Sequence, residues 1–457
     1  MTCIRLTPGI SWGLVFRSLL TITVGLHPVC ASAQQSATPF ERWVATHALP
    51  IATVDSATGV LDLQRVRQVI GSARVVALGE PTHGAHEPLA FRNRLFRYLV
   101  DELGFTAIAI ESGLPESRLV QDYVAGGPGD ARQIVRDNLS WGFGEFQENE
   151  ALVQWMRQYN ANPTHHRKVR FYGMDLSLGG PGGSIPMPIA FDGALSYVAR
   201  VDSMSAGRLR ATFQPLLARM HTAASLSIAE HDALTAAIDD LLSLLERERP
   251  AYTEASSAPD YEWGYRNAIA AQQADRMFRL MPRDAPAGVI PPSAWQAMNS
   301  RDAAMAENVR WILTQEGPQG RVLVFAHNGH VKNGPTEGGI WSAFEKPATA
   351  MGQYLHSALG RDLIIIGTSA AANGPGLPPA IPDSDGVDAS LAKVGLPLFL
   401  IDLRASSANG AVNEWLLARR SLRANFTTIL TVSPRTAFDA LMFIDTLTPA
   451  HIASTPR

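Results

Sequence analysis

Cysteine is nearly absent from this sequence. The two cysteines, Cys3 and Cys30, both lie within the first 30 residues. If that segment is removed during export, the mature chain contains no thiol. A cysteine nucleophile, a thiolate-bound metal and a stabilising disulfide are then all excluded.

A surplus of charge of either sign is also missing. The 457 residues include 39 lysines and arginines against 42 aspartates and glutamates, for a formal net charge of -3. Without a basic stripe or a run of like charges, the sequence predicts neither a nucleic-acid surface nor a charged binding tail. Hydrophobic residues make up 46% of the chain, which is ample for a core larger than that of a single small domain.

Several signatures of hydrolases and nucleotide-binding enzymes are missing as well. The sequence has no G-x-S-x-G nucleophile elbow, no H-E-x-x-H zinc motif, no P-loop and no dinucleotide-binding glycine pattern after a strand. Because neither a serine motif nor a cysteine is available, direct attack by water is the remaining route for a hydrolytic reaction.

Residues 1–33 have the features of a secretory signal peptide. Arg5 and Arg17 lie near a short apolar run, residues 18–26, and small residues follow at Ala31-Ser32-Ala33. This predicts export to the periplasm or the cell exterior and a mature domain of residues 34–457. The apolar run is too short to cross a bilayer comfortably, so no stable membrane span is expected after cleavage. Retention of the segment as an interfacial anchor is one alternative. A lipoprotein anchored at Cys30 is another, although His27-Pro28-Val29 before it is a poor lipobox.

Short apolar runs alternate with amphipathic segments along the chain. The candidate strands are residues 74–78, 106–110, 169–173, 321–326, 362–368, 397–402 and 440–444. Several of these runs are continuous rather than alternating, which suits parallel strands buried on both faces. Amphipathic helices are predicted between them, for example over residues 88–103 and 149–159. The sequence thus predicts an α/β fold with a central, mostly parallel sheet flanked by helices.

The middle of the chain, residues 192–315, has no convincing strand. Five helices are predicted there, over residues 192–204, 206–224, 228–247, 260–281 and 294–313. We interpret the segment as a helical insertion that covers a substrate cleft, because it lies between strands that end in reactive side chains. Simple padding of the sheet is the alternative. The Gly/Pro-rich residues 179–188 and 373–382 are predicted to be loops at the rim of the cleft.

Acidic and imidazole side chains follow four of the predicted strands. Ligands of open α/β sheets bind beyond the carboxyl ends of the strands, and charged groups at buried strand ends are costly unless they are paired or functional. Four such ends together predict a site. Its side chains are, in chain order, Glu80, His83, Glu111, Asp175, His327 and His330.

Each of these side chains also has a structural interpretation. A single glutamate or histidine at a strand end is commonly a cap or an ion-pair partner, and for Asp175 we favour the role of a cap. Two histidines in one loop after a buried strand are uncommon without a chemical use, which favours a functional role for His327 and His330. We interpret the following as ordinary surface or helix residues: His86, Glu87, His165, His166, His221, His231 and His356.

The residue types at the strand ends suit hydrolysis by an activated water molecule. A histidine can take the proton of the water, and a carboxylate can orient the histidine and stabilise its imidazolium. Arginines can stabilise the developing oxyanion, and Arg92 and Arg301 are available for that role.

At these positions the sequence resembles the erythromycin esterase family. The motifs span most of the mature chain in order: Gly79-Glu80-Pro81-Thr82-His83-Gly84, Phe91-Arg92, Ile110-Glu111-Ser112, Phe171-Tyr172-Gly173-Met174-Asp175, Arg301-Asp302 with Met305-Ala306-Glu307-Asn308, and Ala326-His327-Asn328-Gly329-His330. The resemblance implies an ester or lactone hydrolase that opens macrolide antibiotics, and so confers resistance, by attack of water without a metal cofactor. It implies His83 as the general base, and the other site residues as Glu80, Glu111, Arg92, His327 and His330, with Arg301 on the substrate or oxyanion.

Two alternatives stay open. The same carboxylates and imidazoles could bind a divalent metal in a metal-dependent hydrolase of another substrate, with the ligands Glu80, His83, Glu111, His327 and His330. A non-catalytic exported protein could instead use the cleft to bind a small molecule. Members of the wider family act on other substrates, so the resemblance favours a small-molecule ester or lactone more strongly than it favours a macrolide.

Overall fold

The structure is a computed structural model of the chain. It describes residues 37–55, 61–176, 187–219, 226–283, 289–381, 383–405 and 407–452, and these residues belong to one compact unit. The predicted signal peptide, residues 1–33, lies outside the described residues. So does the predicted loop 179–188, apart from its last two residues.

Eight of the strands form a central sheet. In chain order the strands are β1 (Leu49–Pro50), β2 (Val75–Glu80), β3 (Ala107–Gly113), β4 (Arg170–Asp175), β5 (Val322–His327), β6 (Pro335–Thr336), β7 (Ala348–Thr349), β8 (Leu363–Asn373), β9 (Leu398–Asp402), β10 (Arg420–Ala424), β11 (Thr428–Val432) and β12 (Ala440–Leu447). The order in the sheet is β1-β9-β12-β8-β2-β5-β3-β4. The strands from β12 to β4 run parallel, and β9 runs antiparallel to β12. The predicted mostly parallel α/β sheet is confirmed.

The continuous apolar runs are explained by burial on both faces of the sheet. In β2, Val76 and Leu78 pack into the core on one face, while Val75 and Ala77 pack into the core on the other. All seven predicted strands overlap strands of the sheet. The prediction missed the two-residue edge strand β1 and the antiparallel pairs β6–β7 and β10–β11. Strands that are this short or half-exposed lack a continuous apolar run.

Helices cover both faces of the sheet. They are α1 (Pro39–His47), α2 (Val66–Ile70), α3 (His86–Leu103), α4 (Ser117–Val124), α5 (Ala131–Asn138), α6 (Gln147–Ala161), α7 (Met187–Val201), α8 (Ser203–Leu217), α9 (Ile228–Arg247), α10 (Arg249–Ala255), α11 (Ala258–Leu280), α12 (Trp295–Glu316), α13 (Asn328–Val331), α14 (Met351–Leu359), α15 (Val387–Ala392), α16 (Gly410–Leu417) and α17 (Pro434–Ala437). In the described part of the chain, none of the helices combines the length and the apolar character that a membrane crossing requires.

The middle of the chain is helical, as predicted, from α7 to α12. These helices pack around an apolar cluster of their own, which includes Leu234 and Leu241 of α9. The break between α7 and α8 comes earlier than predicted, because Asp202 caps α8 by accepting a hydrogen bond from the backbone N–H of Ser205. The short helix α10 was not predicted.

Candidate active site

The reactive side chains at the strand ends meet at one edge of the sheet. Strands β2, β5, β3 and β4 are neighbours and run parallel, so their carboxyl ends lie side by side. Glu80, His327 and Asp175 are the last residues of β2, β5 and β4, and Glu111 lies near the end of β3. The topology thus brings together side chains that are far apart in the chain.

His83 is held by the buried carboxylate of Glu80. Its Nδ1 lies 2.5 Å from Glu80 Oε1 and donates the hydrogen bond. The other ring nitrogen, Nε2, lies 3.8 Å from Glu111 Oε1, a separation that a water molecule can bridge. Burial lowers the pKa of His83, but the negative charges of Glu111 and Glu80 raise it above its ordinary value. The ring is therefore a stronger base than an ordinary imidazole, and its Nε2 is the nitrogen nearer to Glu111.

Glu111 stands among several positive groups. Its Oε1 accepts a hydrogen bond from Arg301 Nη2 at 2.8 Å and lies 3.4 Å from His330 Nε2. Its Oε2 accepts a hydrogen bond from the backbone N–H of His327 at 2.8 Å. Burial by itself raises the pKa of Glu111, yet the charges of His330, His83 and Arg301 hold it well below its ordinary value. The group is therefore a carboxylate at neutral pH.

Asp175 is the ion-pair partner of Arg301, a role that goes beyond the cap we favoured for it. Its carboxylate accepts hydrogen bonds from Arg301 Nη2 at 2.6 Å and from Arg301 Nε at 3.0 Å. It also accepts one from the indole N–H of Trp141 at 2.9 Å. The guanidinium lies 4.9 Å from the centre of the Trp141 ring, and Trp141 has a φ of 60°, which bulky residues rarely adopt. Asp175 and Trp141 together fix the guanidinium beside Glu111.

His330 is paired with Asp302, which the sequence interpretation did not assign to the site. His330 Nδ1 donates to Asp302 Oδ1 at 2.9 Å, and the same oxygen accepts the backbone N–H of Met351 at 2.7 Å. Burial lowers the pKa of His330, but the charges of Asp302 and Glu111 raise it to about 10. His330 is therefore an imidazolium at neutral pH. In the sequence, Asp302 was marked only by its place in the family motif Arg301-Asp302.

His327 is a neutral imidazole whose two nitrogens both bond to backbone groups. The backbone N–H of Gly329 donates to Nδ1 at 3.0 Å, so Nε2 carries the proton and donates to the carbonyl oxygen of Pro81 at 3.1 Å. Burial and the positive charge of His83 lower the pKa of His327 to about 3. The hydrogen bond to Pro81 links the end of β5 to the turn after β2.

Arg92 is not among the residues that line the cavity over the site. Its buried guanidinium lies 4.8 Å from the centre of the Phe325 ring and donates to Asn93 Oδ1 at 2.7 Å. Burial lowers the pKa of Arg92 to about 10, and the negative charge of Glu80 opposes that effect. Its geometry suits electrostatic support of Glu80 rather than contact with a substrate.

A cavity of about 580 Å³ lies over the charged cluster. Its polar lining comes from the site residues His83, Glu111, Arg301, His327 and His330. Its apolar walls include Met277, Val289, Ile290, Met298, Trp341 and Phe344. Met277 of α11, Met298 of α12, and Val289 and Ile290 among the described residues between these helices thus lie on one wall. The described part of the predicted rim loop 373–382 supplies no lining residue.

The chain is similar to erythromycin esterase type II of Escherichia coli, with 28% identity over 347 residues that cover 72% of this chain and 77% of the relative. A solved structure of a Bacillus cereus protein superposes with a TM-score of 0.75 at 27% identity and covers 91% of this chain and 98% of its own. The fold is also that of an erythromycin esterase mutant solved in its open conformation, with a TM-score of 0.67 at 16% identity, covering 88% of this chain and 98% of that one.

The profile of the erythromycin esterase family matches residues 100–447. Glu111, Asp175, Arg301, Asp302, His327 and His330 lie inside this region. Glu80, His83 and Arg92 precede it, so their place in the site rests on the geometry described above. From this match, the chain belongs to the erythromycin esterase family and is a hydrolase of the esterase type.

Proposed function

We propose that this protein is an exported hydrolase that opens the lactone of a macrolide, or a related ester, by attack of a water molecule activated at His83. The observation that carries the proposal is the pair of contacts to the imidazole. Glu80 holds Nδ1 at 2.5 Å, and Nε2 lies 3.8 Å from Glu111 at the base of a largely apolar cavity. A general base needs this arrangement, with one nitrogen oriented and the other directed to the nucleophile.

In this mechanism the proton that His83 takes from the water is later returned to the leaving group. A water molecule between His83 Nε2 and Glu111 attacks the carbonyl carbon, and His83 takes its proton. The carbon–oxygen bond of the lactone then breaks, and the imidazolium returns the proton to the departing alkoxide. The product is an acid and an alcohol, heavier than a cyclic substrate by one water. Glu80 stabilises the imidazolium throughout.

Positive charge for the oxyanion comes from His330 and Arg301. Both line the cavity, and Arg301 Nη1 lies 3.3 Å from His330 Nε2. A fixed positive group beside a developing oxyanion is commonly the largest electrostatic contribution to such catalysis. Asp302 and Asp175 keep the two cations in place, so both are positioning residues.

The hydrogen bonds of the cluster favour proton transfer over metal coordination. Both nitrogens of His327 bond to backbone groups, and the two carboxylate oxygens of Glu111 bond to Arg301 and to a backbone N–H. A divalent cation at the same place would have to displace the guanidinium. Metal analysis of the purified protein before and after chelation tests this. A stoichiometric metal whose removal abolishes activity would overturn the metal-free mechanism.

The direct test is mass spectrometry of erythromycin incubated with the purified mature protein. We expect a product heavier by one water, and a loss of kcat/KM of about 10²–10⁴ in His83→Ala because the general base is removed. The exposed histidine variant His356→Ala is the matched control and keeps full activity. An unchanged erythromycin mass removes the macrolide as substrate. Retained turnover in His83→Ala removes His83 as the base.

Export is the part of the proposal that depends on residues 1–33. We expect the protein to be recovered from the periplasmic or culture-medium fraction, with an N-terminus near residue 34. Recovery of the full-length chain in the cytoplasmic fraction would contradict export.

A further inference from the structure

A second cluster of ionisable side chains lies outside the active site. It consists of His86 at the start of α3, Glu148 in the first turn of α6, and His451 in the C-terminal segment. Among the residues that the structure describes, this is the one group of three histidines or acids whose ligand atoms all lie within 4.8 Å of one another. His86 is therefore more than the ordinary helix residue that the sequence indicated.

The two imidazoles converge on one carboxylate. Nδ1 of His86 lies 2.6 Å and Nδ1 of His451 lies 2.7 Å from the same oxygen, Glu148 Oε1. The ring centroids are 4.4 Å apart. Glu148 is buried, and its second oxygen, Oε2, has no hydrogen-bond partner. A buried carboxylate oxygen without a partner is energetically costly, and a cation held by both oxygens of Glu148 would remove that cost.

The surroundings of the cluster are negative. His86 donates a hydrogen bond to the carboxylate of Glu148, and the negative charges of Glu87 and Asp55 also act on His86. Two imidazole nitrogens and a carboxylate are a common ligand set for Zn²⁺, with metal–ligand distances of about 2.0–2.2 Å and a fourth position for water. The His451 side chain is 60% exposed, so a hydrated ion can reach the cluster from solvent.

We propose that His86, Glu148 and His451 form a divalent transition-metal site of the Zn²⁺ type. The site joins the C-terminal segment to the turn that follows His83. Backbone hydrogen bonds already run between these segments, from His86 N–H to the Thr448 carbonyl at 2.8 Å and from Gln147 N–H to the His451 carbonyl at 2.8 Å. A bound ion replaces the protons on the two Nδ1 atoms and locks the same three segments together.

The test is calorimetric titration of Zn²⁺ into chelator-stripped protein that carries no polyhistidine tag. We expect one equivalent to bind the wild type, at least tenfold weaker binding by His451→Ala, and unchanged binding by the control His356→Ala. The melting temperature should rise with Zn²⁺ in the wild type and in His356→Ala but not in His451→Ala, because a ligand stabilises only a fold that binds it. X-ray absorption should detect two nitrogen ligands at about 2.0 Å.

The variant His83→Ala distinguishes Zn²⁺ binding at the proposed site from Zn²⁺ binding in the catalytic cluster. We expect His83→Ala to bind Zn²⁺ as the wild type does. Loss of Zn²⁺ in His83→Ala with retention in His451→Ala would overturn the proposal. Equal Zn²⁺ affinity in the wild type and His451→Ala would also overturn it, and so would the absence of Zn²⁺ binding to the wild type. The three side chains would then form only a hydrogen-bonded contact between segments.

Discussion

The variant Asp302→Asn separates the charge of His330 from its position. In the wild type, Asp302 Oδ1 accepts hydrogen bonds from His330 Nδ1 at 2.9 Å and from the backbone N–H of Met351 at 2.7 Å. The side-chain oxygen of asparagine can accept the same two hydrogen bonds. The substitution removes the negative charge. Burial lowers the pKa of His330, and the charges of Asp302 and Glu111 raise it to about 10, so the variant is expected to lower that pKa without moving the ring.

The size of the change follows from Coulomb's law. Unit charges 2.9 Å apart interact by roughly 6 kcal/mol at an effective dielectric constant of about 20, which corresponds to about four pKa units. The amide oxygen retains part of this interaction, so we expect a decrease of about two to three units. The pKa of His330 in the variant then lies at roughly 7–8.

The assay is the pH dependence of kcat/KM for whichever macrolide or chromogenic ester the wild type hydrolyses. In the wild type, we expect activity to rise as His83 loses its proton and to fall only when His330 loses its own, near pH 10. In Asp302→Asn the alkaline fall should begin at roughly pH 7–8 and steepen to about tenfold per pH unit. At the acidic end of the profile the two proteins should have similar activity.

The pH dependence of the free energy of unfolding gives an independent measure of the His330 pKa. A histidine whose pKa is raised by folding contributes stability below its unfolded pKa of about 6.5. That contribution is lost as the pH rises toward about 10, the folded pKa of His330. The wild type should therefore lose more of its free energy of unfolding across this interval than Asp302→Asn does. An unchanged alkaline limb in the variant, or a loss of activity that is the same at every pH, would refute the role of His330 as an imidazolium.

Two further variants test the site and its scaffold. In Glu111→Gln the acid limb of kcat/KM should move to lower pH, because the charge of Glu111 raises the pKa of His83; an unmoved limb would contradict this coupling. In Gly173→Ala the new Cβ would lie 2.3 Å from the Gly113 carbonyl oxygen, so the melting temperature should fall as β3 and β4 separate. The control Gly207→Ala meets nothing within 4 Å and should be neutral or stabilising by about 0.5–1 kcal/mol; equal melting temperatures for the two variants would refute the clash.

The α/β fold could be predicted because its signals are local. The runs that became β2 and β5 are apolar at every position since both faces of these strands are buried, and the helical segments carry their own periodicity. The side chains that follow the strands, Glu80 and His327 among them, could be placed at one edge because parallel strands end on the same side. Edge strand β1 and helix α10 were missed because short elements carry too little pattern.

The partners of these side chains could not be predicted in the same way. Arg301 is 126 residues from Asp175 and 190 residues from Glu111, and no periodicity relates positions so far apart. The sequence analysis assigned no role to Trp141, and its contact with Arg301 exists only because β4 and α12 pack beside it. The second cluster likewise needs the C-terminal segment to return to the start of α3.

The amino-acid sequence by itself determined the fold class, the absence of a thiol after residue 30 and the residue types available for hydrolysis. These properties depend on composition and on short-range spacing. Only the tertiary structure decided the surroundings of each histidine: Glu80 and Glu111 lie beside His83, and Asp302 and Glu111 lie beside His330. Both nitrogens of His327 bond to backbone groups. His83, His330 and His327 have the same ordinary pKa, and each is shifted by a different set of charges and backbone groups that the fold alone brings within 4 Å.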